Sequence, residues 1–188
     1  PVTQPTTGPT QNIAEIAIAD SRTDSLVVAL ETANLVATFT GTTEYTVFAP
    51  TNQAFINLLG TNSAWNRISD IDATTLTNVL LYHVTAGKVF ASDLTDNTYI
   101  NTLNTQGSVN NEATVIEVDI AGGAKLNNSS NVEAVDIEAT NGVIHIIDAV
   151  LLPRNIVELA IIDERFTSLV AALTVFGDTL TGALSGNG

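Results

Sequence analysis

The chain has 188 residues, 45% hydrophobic and 14% charged, a globular composition long enough for one full core and part of another. Six basic against twenty acidic residues give a net charge of -14, which excludes a nucleic-acid partner and adsorption to anionic lipid and leaves a solvated acidic surface. There is no cysteine, which excludes disulfides, thiolate catalysis and cysteine zinc sites, and no apolar run is long enough to span a membrane.

Residues 1–10, PVTQPTTGPT, carry three prolines and four threonines, the composition of an extended linker or stalk. With no methionine in the chain, Pro1 reads as a processed or cut start. Two helices are predicted over 12–35. Asn12 is a fair N-cap with Glu15 at the third helical position, and Leu26, Ala29, Leu30 and Ala33 form one apolar stripe. YTVFAPTNQAF (45–55) predicts a strand of alternating residues that Pro50 ends, then a helix capped by Thr51 or Asn52 with Phe55, Leu58 and Leu59 inward. Residues 69–87 predict a second helical region with Leu76, Val79, Leu80 and Val84 buried and Gly87 closing it. Short strands follow. ATVIEVDI (113–120) alternates, AKLNN follows the Gly122-Gly123 turn, and Asn141-Gly142 predicts a hairpin between VEAVDIEA and VIHIIDAVLLP. Helices first and then a meander of strands make the fold class α+β.

NIAEIAIADSRTDSLVVAL (12–30) returns as NIVELAIIDERFTSLVAAL (155–173), identical at 12 of 19 positions. The offset from Asn12 to Asn155 is the length of a domain rather than a solenoid repeat. The expected organisation is therefore a linker at 1–10, a complete domain at 11–154 and the opening of a second, truncated one at 155–188.

Three segments carry a family resemblance. YTVFAPTNQAF resembles the first signature of the fasciclin (FAS1) domain, NGVIHIIDAVLLP (141–153) resembles the second, and LLYHVTAGKV (80–89) resembles the Tyr-His segment between them. The resemblance spans about 11–154, and the tail resembles the first helices of a further copy. It implies a twisted β-wedge flanked by helices, with the two signatures side by side in the core. It also implies a secreted or surface-anchored protein serving adhesion or matrix assembly. Some relatives bind integrins or polysaccharide, and some algal ones bind carotenoids. Gln53 stands where many relatives have Glu. Asp136 and Ile137 match an Asp-Ile pair tied to integrin binding in animal relatives, although the residues around them differ.

No catalytic motif is present: there is no G-x-S-x-G, no H-x-x-x-H and no phosphate loop, so no catalytic residue, metal or cofactor is assigned. Asp70 and Asp72 lack the Gly and Glu of a calcium loop and suit a helix N-terminus. Tyr82 and His83 are a candidate interaction surface or, more simply, a hydrogen-bonding pair locking a helix end to the sheet, and His145 is read as a satisfied strand residue. Asp136 and Ile137 are candidates for an exposed contact edge. Phe166, Leu169 and Leu173 are a candidate assembly face on the tail. Asn127 and Asn128 open overlapping N-x-S patterns. The leading functional expectation is a non-enzymatic adhesion module outside the cell. Its partners would be surface protein or polysaccharide, neighbouring fasciclin domains or other copies. The alternatives are a structural subunit of a filament or matrix and a carrier of a small apolar ligand.

Overall fold

A computed structural model of the chain describes residues 8–105, 113–120 and 123–153. The chain divides into two compact units, Pro1–Leu151 and Leu152–Gly188. The expectations for 155–188, with the Phe166, Leu169 and Leu173 face, fall outside the described residues, as does most of the 1–10 linker.

Helix α1 (Ile13–Ala19) opens on the expected capping box. The Glu15 amide donates to Asn12 Oδ1 at 2.9 Å, and the Asn12 amide donates to the Glu15 carboxylate at 2.8 Å. Helix α2 (Asp24–Thr32) buries Leu26, Ala29 and Leu30. Strand β1 (Tyr45–Pro50) leads into α3 (Asn52–Leu59), whose first turn is capped by Thr51. Helix α4 (Ala73–Tyr82) starts on the Asp72 carboxylate and ends sooner than its apolar stripe suggests. Val84–Ala86 is strand β2, so Val84 is buried from a strand and not from the helix. A β-branched pair directly after the helix is better satisfied by pairing with β1 than by another turn. Trp65 is half-buried and packs on the rim of the core.

The remaining strands are β3 (Thr98–Asn101), β4 (Val115–Asp119), β5 (Lys125–Leu126), β6 (Ser130–Ala139) and β7 (Gly142–Ile147). They join in the order β2-β1-β7-β6-β5-β4-β3. The sheet is mixed: β3 to β7 form the expected antiparallel meander, and β1 and β2 extend it beyond β7. β1 lies within the helical half of the sequence, yet it pairs in parallel with β7 from Tyr45–Gly142 to Pro50–Ile147. Pro50 is tolerated because it is the last residue of the strand. The two ends of the sheet also meet. Thr85 Oγ1 donates to the Asn101 carbonyl at 2.7 Å, and the Leu103 amide donates to the Val84 carbonyl at 2.8 Å.

β1 and β7 do not alternate between buried and exposed as expected; every β7 residue is buried, and so is every β1 residue after Tyr45. The reason is a core on each face of the pair. Val47, Ala49, Ile144 and Ile146 face the core beneath the helices, with Ile13, Leu26, Phe55 and Leu76. Phe48 and Ile147 face a second core with Tyr82, Ile116, Val118 and Leu126. The β6–β7 hairpin forms, but Ala139 pairs with Gly142, so its loop is Thr140-Asn141, one residue before the expected Asn-Gly turn.

Candidate functional site

The Pro-Thr-Asn corner at the end of β1 is structural. Thr51 Oγ1 caps α3, and Asn52 reaches back to the turn between α1 and α2. Its side chain accepts from the Ser25 amide and donates to the Ser21 carbonyl, both at 2.8 Å. One dipeptide thus joins a strand, the helix it starts and a distant helical turn.

The Tyr-His pair is structural as well. Tyr82 and His83 are each 1% exposed, so neither presents an interaction surface, which corrects that expectation. The Tyr82 hydroxyl donates to the Val115 carbonyl at 2.7 Å and accepts from the Asn127 amide at 3.0 Å. At His83 the Leu151 amide donates to Nε2 at 2.8 Å, which places the ring proton on Nδ1, donating to the Val79 carbonyl at 2.7 Å. Burial pushes the His83 imidazole down to about 4, against the opposing pull of the Val79 carbonyl. Asn127 is buried with its amide engaged, so of the two N-x-S patterns the exposed acceptor is Asn128.

Asp136 occupies a different environment. β5 pairs with β6 only at Ser130 and Asn131, and the β6–β7 register then slips between Ala134 and Ile137. This bulge places Asp136 in the left-handed region at φ 58, which Asp tolerates better than most residues. Two segments hold it there, the 89–91 stretch and β7. The Asp136 carboxylate accepts from the Ala91 amide at 2.7 Å, while the Asp136 amide donates to His145 Nδ1 at 3.4 Å. His145, fully buried and stacked on Phe48, in turn donates from Nε2 to the Val89 carbonyl at 2.9 Å. Asp136 and its neighbour Val135 are exposed, but Ile137 turns inward onto the helical core. Of the expected pair Asp136 and Ile137, only Asp136 is exposed.

Beneath α1 and α2 lies a small apolar recess of about 20 Å³, partly open to solvent, lined by Ile13, Leu26, Leu30, Phe39 and Ile137 among others. Asp20 sits on its wall and is chelated by Arg22, whose guanidinium holds the carboxyl below the usual range. Asp70 pairs with Arg67 and Asp72 caps α4, so both carboxylates of the considered calcium reading have helix-end partners.

Sequence reasoning missed Asn141. It is buried, and its side chain accepts from the Ile13 amide at 2.9 Å and donates to the Phe39 and Gly41 carbonyls at 2.8 and 2.9 Å. Its carbonyl also accepts from the Tyr45 amide. Nothing in an Asn-Gly pair distinguishes this clip from a turn residue.

The fasciclin domain family model matches residues 21–153. The chain belongs to the fasciclin domain family. It is 40% identical over 141 residues to the uncharacterized protein sll1735 of Synechocystis, covering 75% of this chain and 97% of the relative. Human periostin is 34% identical over 137 residues, 72% of this chain but only 15% of periostin. In fold the chain is similar to a FAS1 domain pair from the insect cell adhesion molecule fasciclin I. The TM-score is 0.64 at 18% identity, over 77% of this chain and 51% of the other. The α+β class and the fasciclin fold are thereby shown, and the two signatures lie side by side as β1 and β7. No helix among the described residues is long and apolar enough to cross a membrane.

Proposed function

We propose that this fasciclin chain is a non-enzymatic interaction module working outside the cell, where it engages a surface protein or polysaccharide through the bulge at Val135–Asp136. The observation that carries this reading is the bulge itself: an exposed carboxylate in a costly backbone conformation, held by Ala91 and by His145, whose ring is itself anchored on Val89. The fold relative described as a cell adhesion molecule supports the class of function. The repeat at 155–173 supports a tandem arrangement with neighbouring fasciclin domains. So does the match to rabbit ig-h3, 32% identical over 183 residues and 95% of this chain. In that arrangement Phe166, Leu169 and Leu173 serve assembly. Asp136→Asn keeps the acceptor for Ala91 and tolerates the backbone angle while removing the charge. It should weaken retention on immobilised cell-surface extract about fivefold, the scale of one lost charge contact, with an unchanged melting point. Unchanged retention would remove Asp136 from the interface.

A second use, carriage of a small apolar ligand, rests on the lining of the recess under α1 and α2, apolar apart from Asp20 and Thr23, and requires the recess to widen from its present room for about one water. A fluorescent fatty acid that brightens on mixing, and fails to brighten when Leu30→Trp fills the recess, would support it.

A further inference from the structure

Asn141 and Gly142 are each required by the fold for separate reasons. Asn141 must both donate and accept, because two backbone carbonyls and one backbone amide converge on its carboxamide in a buried site. Gly142 must lack a side chain, because a Cβ there would lie 1.9 Å from the Tyr45 carbonyl oxygen and 2.6 Å from the Ile13 methyl. Together these two demands write Asn-Gly into the chain, the dipeptide whose unhindered glycine amide most readily attacks the preceding side chain.

We propose that Asn141-Gly142 is a deamidation site shielded by the native fold, and that modification there bars the chain from refolding. In the open chain the Gly142 amide nitrogen, losing its proton to solvent, bonds to Asn141 Cγ and expels ammonia. Water then opens the resulting succinimide to aspartate or isoaspartate. In the native state the carboxamide is fixed by its three hydrogen bonds at 3% exposure, and the attack requires all three to break. Once formed, the carboxylate has no proton to donate to the Phe39 and Gly41 carbonyls and faces both oxygens with a negative charge. Isoaspartate also lengthens the backbone at the point where β7 must meet β1. Loss of this one amide thus converts reversible opening into permanent loss.

The test uses the full chain, held at mildly alkaline pH either folded or in urea, then returned to native buffer and separated by size. Tryptic peptide 126–154 contains Asn141 together with the exposed Asn128 as an internal control, and fragmentation assigns the site. Deamidation at Asn141 should be roughly tenfold or more slower in the folded chain, since it proceeds only through opening, whereas Asn128 should differ far less. The refolded fraction should be depleted of modified Asn141, and the fraction that fails to refold enriched in it. Equal rates at Asn141 in the two states, or a refolded fraction carrying the lesion in the starting proportion, would overturn the proposal. Asn141→Asp should abolish the cooperative transition or lower its midpoint, and an Asp variant melting like the parent would overturn it equally.

Discussion

His83 and His145 are both fully buried, and their rings are held in opposite senses: Nδ1–H donates from His83, and Nε2–H donates from His145. At His83 the consequence is a pH dependence with a definite sign. The ring titrates near 6.5 when the chain is unfolded and near 4 when folded, so the unfolded state takes up the proton first. The stability due to the neutral ring is complete above pH 6.5 and is lost as pH falls towards 4, by about 3 kcal/mol in total for a shift of this size. Urea titrations from pH 7 down to pH 4 should show this loss, and His83→Gln, which cannot titrate there, should show a flatter slope. Equal slopes would mean that His83 does not govern the acid response. The sequence offered Tyr82-His83 either as a surface or as a hydrogen-bonding pair locking a helix end to the sheet, and the packing of Val79, Val115 and Leu151 around the pair decides for the second. Asp136 was visible as an exposed candidate; its left-handed backbone was not, because a bulge is set by register against β7 rather than by local residue preference.

At the scale of elements, local chemistry was legible and distant pairing was not. The Asn12–Glu15 box, the Thr51 cap and the Asp72 cap are short-range hydrogen bonds, and residue type alone announces them. β2 was hidden inside a helical prediction because three residues give no periodicity. The β1–β7 partnership was invisible to pattern reasoning and came only through the resemblance, since a local pattern can identify a strand without naming a partner 97 residues away. That pair depends on close approach at its first register position. Gly142→Ala should cost about 4 kcal/mol or more, among the largest single-site effects, because the obstructing atoms belong to the Tyr45 backbone and cannot step aside. Thermal melting checks it, and a loss below 1 kcal/mol would show that β1 and β7 can separate at this end without consequence.

Over the whole molecule the net charge of -14 dominates, and three of the six basic residues, Arg22, Arg67 and Lys88, are already paired with Asp20, Asp70 and Glu44. The chain should pass through a heparin column unretained at moderate salt, and its melting point should rise with ionic strength as self-repulsion is screened. Retention on heparin would reveal a basic patch that the sequence does not suggest. The parallel pairing of β1 with β7 also has a consequence in time. Tyr45 must wait for Gly142, which the ribosome adds 97 residues later, so the edge of β1 that faces β7 stays unpaired until then, although β2 can already pair with the other edge. Closing so long a loop is slow, on the order of milliseconds to seconds for topologies dominated by distant pairs. A ribosome stalled before β7 would therefore hold a chain with an open core, exposed to whatever chaperone or protease reaches it first.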